Sequence, residues 1–298
     1  MRVLITGGTG LLGKALIETV DNSNYEIIAT YLGNYNMEDT TRIKYKKLDV
    51  RDIDGYSSLF REFKPEVVVH TAGIGSPDYA EKNKEETWAI NVGGTQNILN
   101  NCERHDSKFI YVSSNGIYDG NKAPYSENDK AEPINYYGKI KLEGERITQE
   151  SRVINAIIRP ILMYGWNYSF ERPNIVTLSL SKLQKGDKVF VYDDVYANPL
   201  FVQSCAEAIW MVIEEGKYDT FNIGGKDGLS VYEFIKKAAK IFELDANLII
   251  PVQQGFFNEL TKRPKDTSYN TEKMQKILKL TPLPVTEGLL LMKKMKRL

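Results

Sequence analysis

Cysteine and histidine are nearly absent: the 298-residue chain has two of each, Cys102 and Cys205, His70 and His105. No pair among them has metal-ligand spacing. A structural zinc site and a disulfide framework are therefore excluded, and both thiols read as ordinary side chains of a reducing compartment. Neither sign of charge predominates, with Lys+Arg and Asp+Glu at 39 each, so electrostatics draws the chain to neither nucleic acid nor an acidic membrane. Long apolar runs are missing too; none approaches a membrane span. The first strand-like run stops at Thr6, too soon for the core of a signal peptide. Internal repeats and low-complexity tracts are lacking. These absences predict a soluble cytoplasmic chain with no metal, no nucleic-acid partner and no membrane contact. At this length it buries about three quarters of its unfolded surface.

What is present is organised around residues 6–13, Thr-Gly-Gly-Thr-Gly-Leu-Leu-Gly. This stretch follows an apolar run at 3–5 and precedes Leu12, Ala15, Leu16 and Val20 at helical spacing. In a strand-turn-helix, Gly7 makes the tight turn, Gly10 lets backbone amides approach a pyrophosphate, and Gly13 packs the helix close to the strand. The helix start then faces an anion. The pattern predicts a dinucleotide site.

A second strand is expected at 26–31. An acidic residue near its end would hold the ribose 2′-OH of NAD, but the segment from Ala29 through Tyr31 to Asn34 is neutral. That removes repulsion against a 2′-phosphate and favours NADP(H) over NAD(H), although no Arg stands there to bind the phosphate. A third strand at 45–48 ends in Asp49-Val50, where Asp49 either accepts from the adenine amino group or caps the helix near Asp52. The β-branched run 67–69 reads as a strand buried on both faces, and its exit, Thr71-Ala72-Gly73, offers small residues to a cofactor. A long helix is expected over 81–104, with Asn91 and close packing at Gly93-Gly94. Further strands follow at 108–112, ending in Ser113-Ser114, and at 153–158, broken at Arg159-Pro160. Between them lies a helix over 135–150 capped by Asn135.

This alternation predicts an α/β, Rossmann-type doubly wound parallel sheet over 1–165, with right-handed crossovers. Residues 166–298 form a smaller, interleaved C-terminal substrate-binding region. One of its segments, near 219–225, returns to the sheet. Helices are expected there at 174–183, 230–242, 271–278 and, as a packed last helix, 289–298.

Tyr137 and Lys141 share one face of the 135–150 helix. A lysine ammonium within ~4 to 6 Å should lower a tyrosine pKa by roughly one to three units, towards proton transfer near neutrality. The spacing alone proves little, since Tyr-x-x-x-Lys also begins at Tyr118, Tyr232 and Tyr269. Only Tyr137 lies where the carboxyl ends of central strands gather ligands. Ser114, at the tip of such a strand, supplies a hydroxyl for a carbonyl or alkoxide beside it.

Together the glycine turn, Asp49-Val50, Asn91-Val92-Gly93-Gly94-Thr95, Ser113-Ser114, Tyr137 with Lys141, and Arg159-Pro160 resemble the extended short-chain dehydrogenase/reductase family over nearly the whole chain. Within it, Ile117-Tyr118-Asp119-Gly120, the run from Pro133 to Glu145, Ala197-Asn198-Pro199 and the stretch from Arg263-Pro264 to Lys273 are most similar to the dTDP-4-dehydrorhamnose reductases. They are also similar to the regulatory beta subunit of methionine adenosyltransferase. The resemblance implies that Tyr137 donates a proton, Lys141 binds the nicotinamide ribose and Ser114 hydrogen-bonds the carbonyl. It implies cofactor contacts from Gly7, Thr9, Gly10, Leu11, Leu12 and Gly13. Tyr31, Asp49, Val50, Thr71, Ala72, Gly73, Asn91, Ser113, Arg159, Pro160 and Ile161 complete that set. Ser76, Tyr118, Asn174 and Arg263 would stand on the nucleotide-sugar side.

Two departures are visible. The reductases usually carry Thr-Asp-Tyr where this chain has Ser114-Asn115-Gly116, and their second strand often ends in a basic residue that is missing here. The dehydratases of the family place an acid pair after the hydroxyl residue; Asn115 and Gly116 cannot exchange protons near neutral pH, which argues against dehydration. The function expected is NAD(P)H-dependent reduction of a 4-keto sugar nucleotide. An NAD-dependent sugar-nucleotide epimerase and a non-catalytic NADP-binding regulatory subunit are the alternatives. The expected partner is the nucleotide sugar, with a homodimer left open.

Overall fold

The computed structural model describes residues 1–20, 25–34, 36–258 and 260–295. Six strands of the central sheet are β1 (Arg2–Thr6), β2 (Glu26–Tyr31), β3 (Ile43–Lys47), β4 (Val67–His70), β5 (Lys108–Val112) and β6 (Asn155–Pro160); the seventh is the Thr220–Ile223 strand. All neighbours pair in parallel. Across the sheet the order is Thr220–Ile223, β6, β5, β4, β1, β2, β3. The chain thus works outward from β1 in one direction and from β4 in the other, and the crevice between their carboxyl ends is where open α/β sheets bind ligands.

Both faces of this sheet are covered, which is why its strands read as unbroken apolar runs. Val67, Val68 and Val69 of β4 are at most 1% exposed. Val3, Ile5 and Val69 pack on one face with Trp210, while Leu4, Val68 and Phe109 pack on the other with Tyr56. Each such side chain contributes roughly 1.5–3 kcal/mol of burial. A third cluster, around Val176, Phe234 and Leu289, belongs to the C-terminal region.

Several elements differ from expectation. The expected break at Arg159-Pro160 does not occur, because β6 runs through both residues and Pro160, at its last position, pairs with Ile223. The expected 81–104 helix is divided into Pro77–Lys82, Lys84–Trp88 and Gly94–His105, the last two joined by a π-helical turn, Ala89–Gly93. The first break is at Asn83, whose backbone leaves the helical region (φ −122°, ψ 59°) and whose amide donates back to Tyr79 O at 3.0 Å; such local bonds compete with helix continuation. Of the two glycines, only Gly94 meets the close-packing expectation, since a Cβ there would lie 2.5 Å from Val50 Cγ2 whereas one on Gly93 would meet nothing within 4 Å. Asp52, not Asp49, caps the Ile53–Phe63 helix by accepting from Gly55 N at 2.9 Å.

Helix Val202–Glu215 has no counterpart in the sequence reading, and it carries Trp210, whose Nε1 donates to Leu16 O at 3.1 Å. The short strand Ile249–Val252 was likewise unanticipated and pairs in parallel with Val189–Tyr192. The last helix spans Val285–Lys294 and buries Val285, Leu289 and Met292; the end of the expected 289–298 helix, residues 296–298, lies outside the described residues.

Two buried polar groups generate predictions. Arg159 donates from Nη2 and Nε to the Glu145 carboxylate at 2.6 and 2.9 Å, with side chains 8% and 2% exposed. Removing one partner strands the other charge, whereas replacing both need not. Glu145→Ala should therefore cost about 3–5 kcal/mol in urea unfolding, and adding Arg159→Met should recover part of that loss.

His70 is 1% exposed, with Thr6 Oγ1 2.7 Å from Nδ1 and Thr95 Oγ1 3.0 Å from Nε2. Burial, followed by the nearby Lys141 charge, lowers its pKa from 6.5 to about 3. Between those values the unfolded imidazole takes up a proton that the folded one refuses, so stability is level above pH 6.5 and is lost as pH falls towards 3. Urea unfolding free energies near neutrality and at about pH 4.5 should show a slope of ~1 kcal/mol per pH unit from this group, absent in His70→Asn.

Candidate active site and cofactor cleft

The turn after β1 is built by close backbone approach. Gly7 has φ +71°, and a Cβ there would lie 2.8 Å from Ala72 N; one on Gly13 would lie 2.2 Å from Gly7 O. Thr71 Oγ1 donates to Thr6 O at 2.6 Å and ties the exit of β4 to this turn. The helix Leu11–Thr19 begins at Gly10 with no side-chain cap and no acidic residue in its first turn, which leaves its amides to an anion from elsewhere. Beside it opens a cleft of about 400 Å³ whose walls include Gly7, Thr9, Gly10, Tyr31, Asp49, Val50, Thr71, Ala72 and Gly73. Its shape and absence of bulky side chains at the turn suit a dinucleotide.

A second cavity, of about 670 Å³, shares Gly10, Thr71, Gly73 and Ile74 with the first and continues over the ends of β5 and β6. Leu11, Leu12, Ser113, Ser114, Tyr137, Lys141, Pro160, Ile161 and Arg263 line it. The helix bearing the Tyr-Lys pair is Tyr136–Glu150, capped by Asn135 Oδ1 accepting from Gly138 N at 2.9 Å. It can reach Ser114 because Gly138 lies against the next turn: a Cβ there would sit 2.0 Å from Gly116 O. Of the other Tyr-x-x-x-Lys pairs, Tyr118 and Tyr269 are buried structural residues and Lys236 donates to Tyr232 on another helix.

The electrostatics of this cavity correct one expectation. The Tyr137 pKa is raised, chiefly by burial; the Ser114 hydrogen bond and the Arg172 charge pull it back only in part. Lys141 is instead anchored to Val112 O at 2.9 Å and lies 5.2 Å from the Tyr111 ring centroid. Its own pKa is lowered to about 8 by burial, against the pull of Glu145. Desolvation sets the direction for Tyr137, and the expected lowering by Lys141 does not figure among its causes.

Some predicted residues stand behind the walls. Asn91 brackets the cleft loop, accepting from Ile74 N at 2.7 Å and donating to Ile74 O at 3.0 Å. Arg159 is held by Glu145, and Tyr118 is fully buried with its hydroxyl 2.9 Å from Arg159 Nη1; neither side chain lines either cavity. Ser76 and Asn174 are helix caps, Ser76 accepting from Tyr79 N and Asn174 from Val176 N and Thr177 N. Arg263 does line the cavity and donates to Asp78 at 2.5 Å.

Residues unforeseen in the sequence include Phe170 and Glu171 on the cofactor cleft and Arg172 and Thr267 on the larger cavity. Asn115 Nδ2 donates to Thr267 Oγ1 at 2.7 Å, which draws the C-terminal segment over the site. Lys47 Nζ donates to Asn34 Oδ1 beside the end of β2, a position set by the pairing of Lys47 with Tyr31. None of these has a motif of its own, although Thr267 falls within the stretch from Arg263-Pro264 to Lys273. Among the described residues, no cluster of His, Cys, Asp and Glu could hold a metal ion, and no helix is long and apolar enough to cross a membrane.

Comparison with known proteins agrees with this layout. The methionine adenosyltransferase 2 subunit beta of Rattus norvegicus is 29% identical over 280 residues, covering 92% of this chain and 81% of that protein. A dTDP-4-dehydrorhamnose reductase of Aggregatibacter actinomycetemcomitans is 28% identical over 295 residues, covering 94% of each. The crystal structure of dTDP-4-dehydrorhamnose reductase from Bacillus anthracis in complex with NADP superposes with a TM-score of 0.86 at 26% identity, covering 98% of both chains. The model of the RmlD substrate binding domain matches residues 1–296, and the chain belongs to that family.

Proposed function

We propose that this protein is an NAD(P)H-dependent reductase of a 4-keto sugar nucleotide, similar in activity to dTDP-4-dehydrorhamnose reductase. The observation that carries the reading is the meeting of Ser114, Tyr137 and Lys141 on one cavity that opens into the glycine-turn cleft. Residues 1–165 would hold the dinucleotide and 166–298 the nucleotide-sugar side. Two free, buried thiols fit a reducing compartment such as the cytoplasm.

A bound reduced nicotinamide would supply the hydride to the carbonyl carbon. The Ser114 hydroxyl would donate a hydrogen bond to the carbonyl oxygen, and Tyr137 would give that oxygen its proton as negative charge develops. Burial, which raises the Tyr137 pKa, works against the phenolate, so Tyr137 would enter the reaction as the proton-bearing phenol. Lys141, fixed by Val112 O, would present its ammonium to the nicotinamide ribose. Asn115 and Gly116 provide no acid or base, which leaves dehydration of the unmodified sugar without its proton carriers.

A preference for NADP(H) is supported by Lys47. Its ammonium stands against Asn34 at the end of β2, where a ribose 2′-phosphate would lie in this fold, and the intervening Tyr31 to Gly33 segment carries no acid. Lys47 on the third strand would thus provide the cation missing from the second.

Three outcomes are expected. Tyr137→Phe should lower kcat by about 10²–10⁴-fold while NADPH affinity stays within a few-fold, checked by steady-state rates and fluorescence titration; near-normal turnover would remove Tyr137 as proton donor. Lys47→Ala should raise the KM for NADPH by roughly tenfold and leave that for NADH little changed. A 4-keto deoxysugar nucleotide should be reduced with matching loss of the reduced cofactor's near-ultraviolet absorbance, whereas dTDP-glucose should give no keto product. Cofactor binding without oxidation across a panel of 4-keto sugars would favour the regulatory-subunit reading that the 29% identity to a methionine adenosyltransferase beta subunit supports.

A further inference from the structure

A carboxylate from a distant part of the chain stands beside the glycine turn. Thr9 Oγ1 donates to Glu171 Oε1 at 2.8 Å, and Glu171 lines the cofactor cleft together with Gly7, Thr9 and Gly10. A carboxylate here is where the amides and dipole of the Leu11–Thr19 helix favour an anion. It is also the place a dinucleotide pyrophosphate would take in this strand-turn-helix.

The segment carrying Glu171 touches the sheet half at Lys14 and Tyr45 as well as at Thr9. Lys14 Nζ donates to Trp166 O at 3.1 Å and lies 5.0 Å from the Tyr168 ring centroid. The Tyr168 hydroxyl bonds Tyr45, and its ring stacks on Phe170 at 5.0 Å. Fixed points stand on either side: Trp166 Nε1 donates to Met292 O at 2.7 Å, and Asn174 Nδ2 to Gly165 O at 2.7 Å. The residue after Glu171, Arg172, lines the other cavity with Ser114 and Tyr137. Two adjacent residues of opposite charge therefore face the two chambers.

We infer that the 167–173 segment is a gate in which Glu171 competes with the cofactor pyrophosphate for Thr9 and the helix start. Two anions cannot share that position without strong repulsion, so binding withdraws the carboxylate, and the shared backbone shifts Arg172 relative to Tyr137. The gate rests on the dinucleotide reading of the cleft.

The test uses the full chain and NADPH as probe, titrated by fluorescence against the unaltered protein, Glu171→Gln and Glu171→Ala. Glu171→Gln keeps an acceptor for Thr9 and removes only the charge. It should bind NADPH about three- to thirty-fold more tightly, with the gain shrinking as salt is raised, and Glu171→Ala should shift in the same direction. Amide hydrogen exchange across 167–172 should increase in the unaltered protein on adding NADP+ and change little in Glu171→Ala. Unchanged or weaker NADPH binding in both variants, or added protection of 167–172 with NADP+, would overturn the gate while leaving the cofactor reading standing. Failure of all three proteins to bind NADPH or NADH would remove that reading and the gate with it.

Discussion

Backbone contact at the carboxyl ends of β1 and β4 is the constraint on which the rest of the molecule depends. Gly7 must adopt positive φ and carry no side chain, because Ala72 N would stand 2.8 Å from its Cβ. Only then can the Leu11–Thr19 helix start directly above the sheet, leaving its first amides facing a cleft. The same economy recurs at Gly138, whose missing side chain brings the Tyr-Lys helix onto the Ser114 turn. The candidate reactive groups are thus placed by absent atoms, at points where strands and helices converge.

Within the cavity, burial controls the titrating groups more than their mutual attraction does. Tyr137 rises and Lys141 falls to about 8, each in the direction that desolvation of its charged form demands. His70 beneath them is driven neutral for the same reason and serves as a hydrogen-bond bridge between Thr6 and Thr95. A lysine four residues from a tyrosine shares its helix face, yet Lys141 spends its ammonium on Val112 O. Face and spacing set which groups meet; the enclosing protein sets their protonation.

The legible part of the candidate site comprised residues whose type and local position suffice to bring them to the cleft and cavity. The glycine turn, the exit of β4, Ser114 and the capped helix with Tyr137 and Lys141 all belong to this class, since each lies on one element with its own signature. Tyr118 and Arg159, expected on the substrate and cofactor sides, stand behind the cavity walls, because a polar side chain beside the core can turn either way. Arg159 turned to Glu145 across the core, and Tyr118 followed it. Glu171 and Lys47 could not be found from local pattern: one reaches Thr9 across 162 positions of chain, and the other depends on which strand neighbours β2.

The sequence by itself determined the strand-helix alternation, the nucleotide-binding turn, the return of the Thr220–Ile223 strand to the parallel sheet and the identity of the Tyr-Lys helix. These follow from periodicity, caps and glycine placement, which act over a few residues. Only the tertiary structure decided the division of the 81–104 region around Asn83 and the π-helical turn, the burial of helix Val202–Glu215, the Arg159–Glu145 pair and the seating of Glu171 on Thr9. Each of these is a contest among partners far apart in the chain, settled by desolvation and packing once the sheet has brought them together.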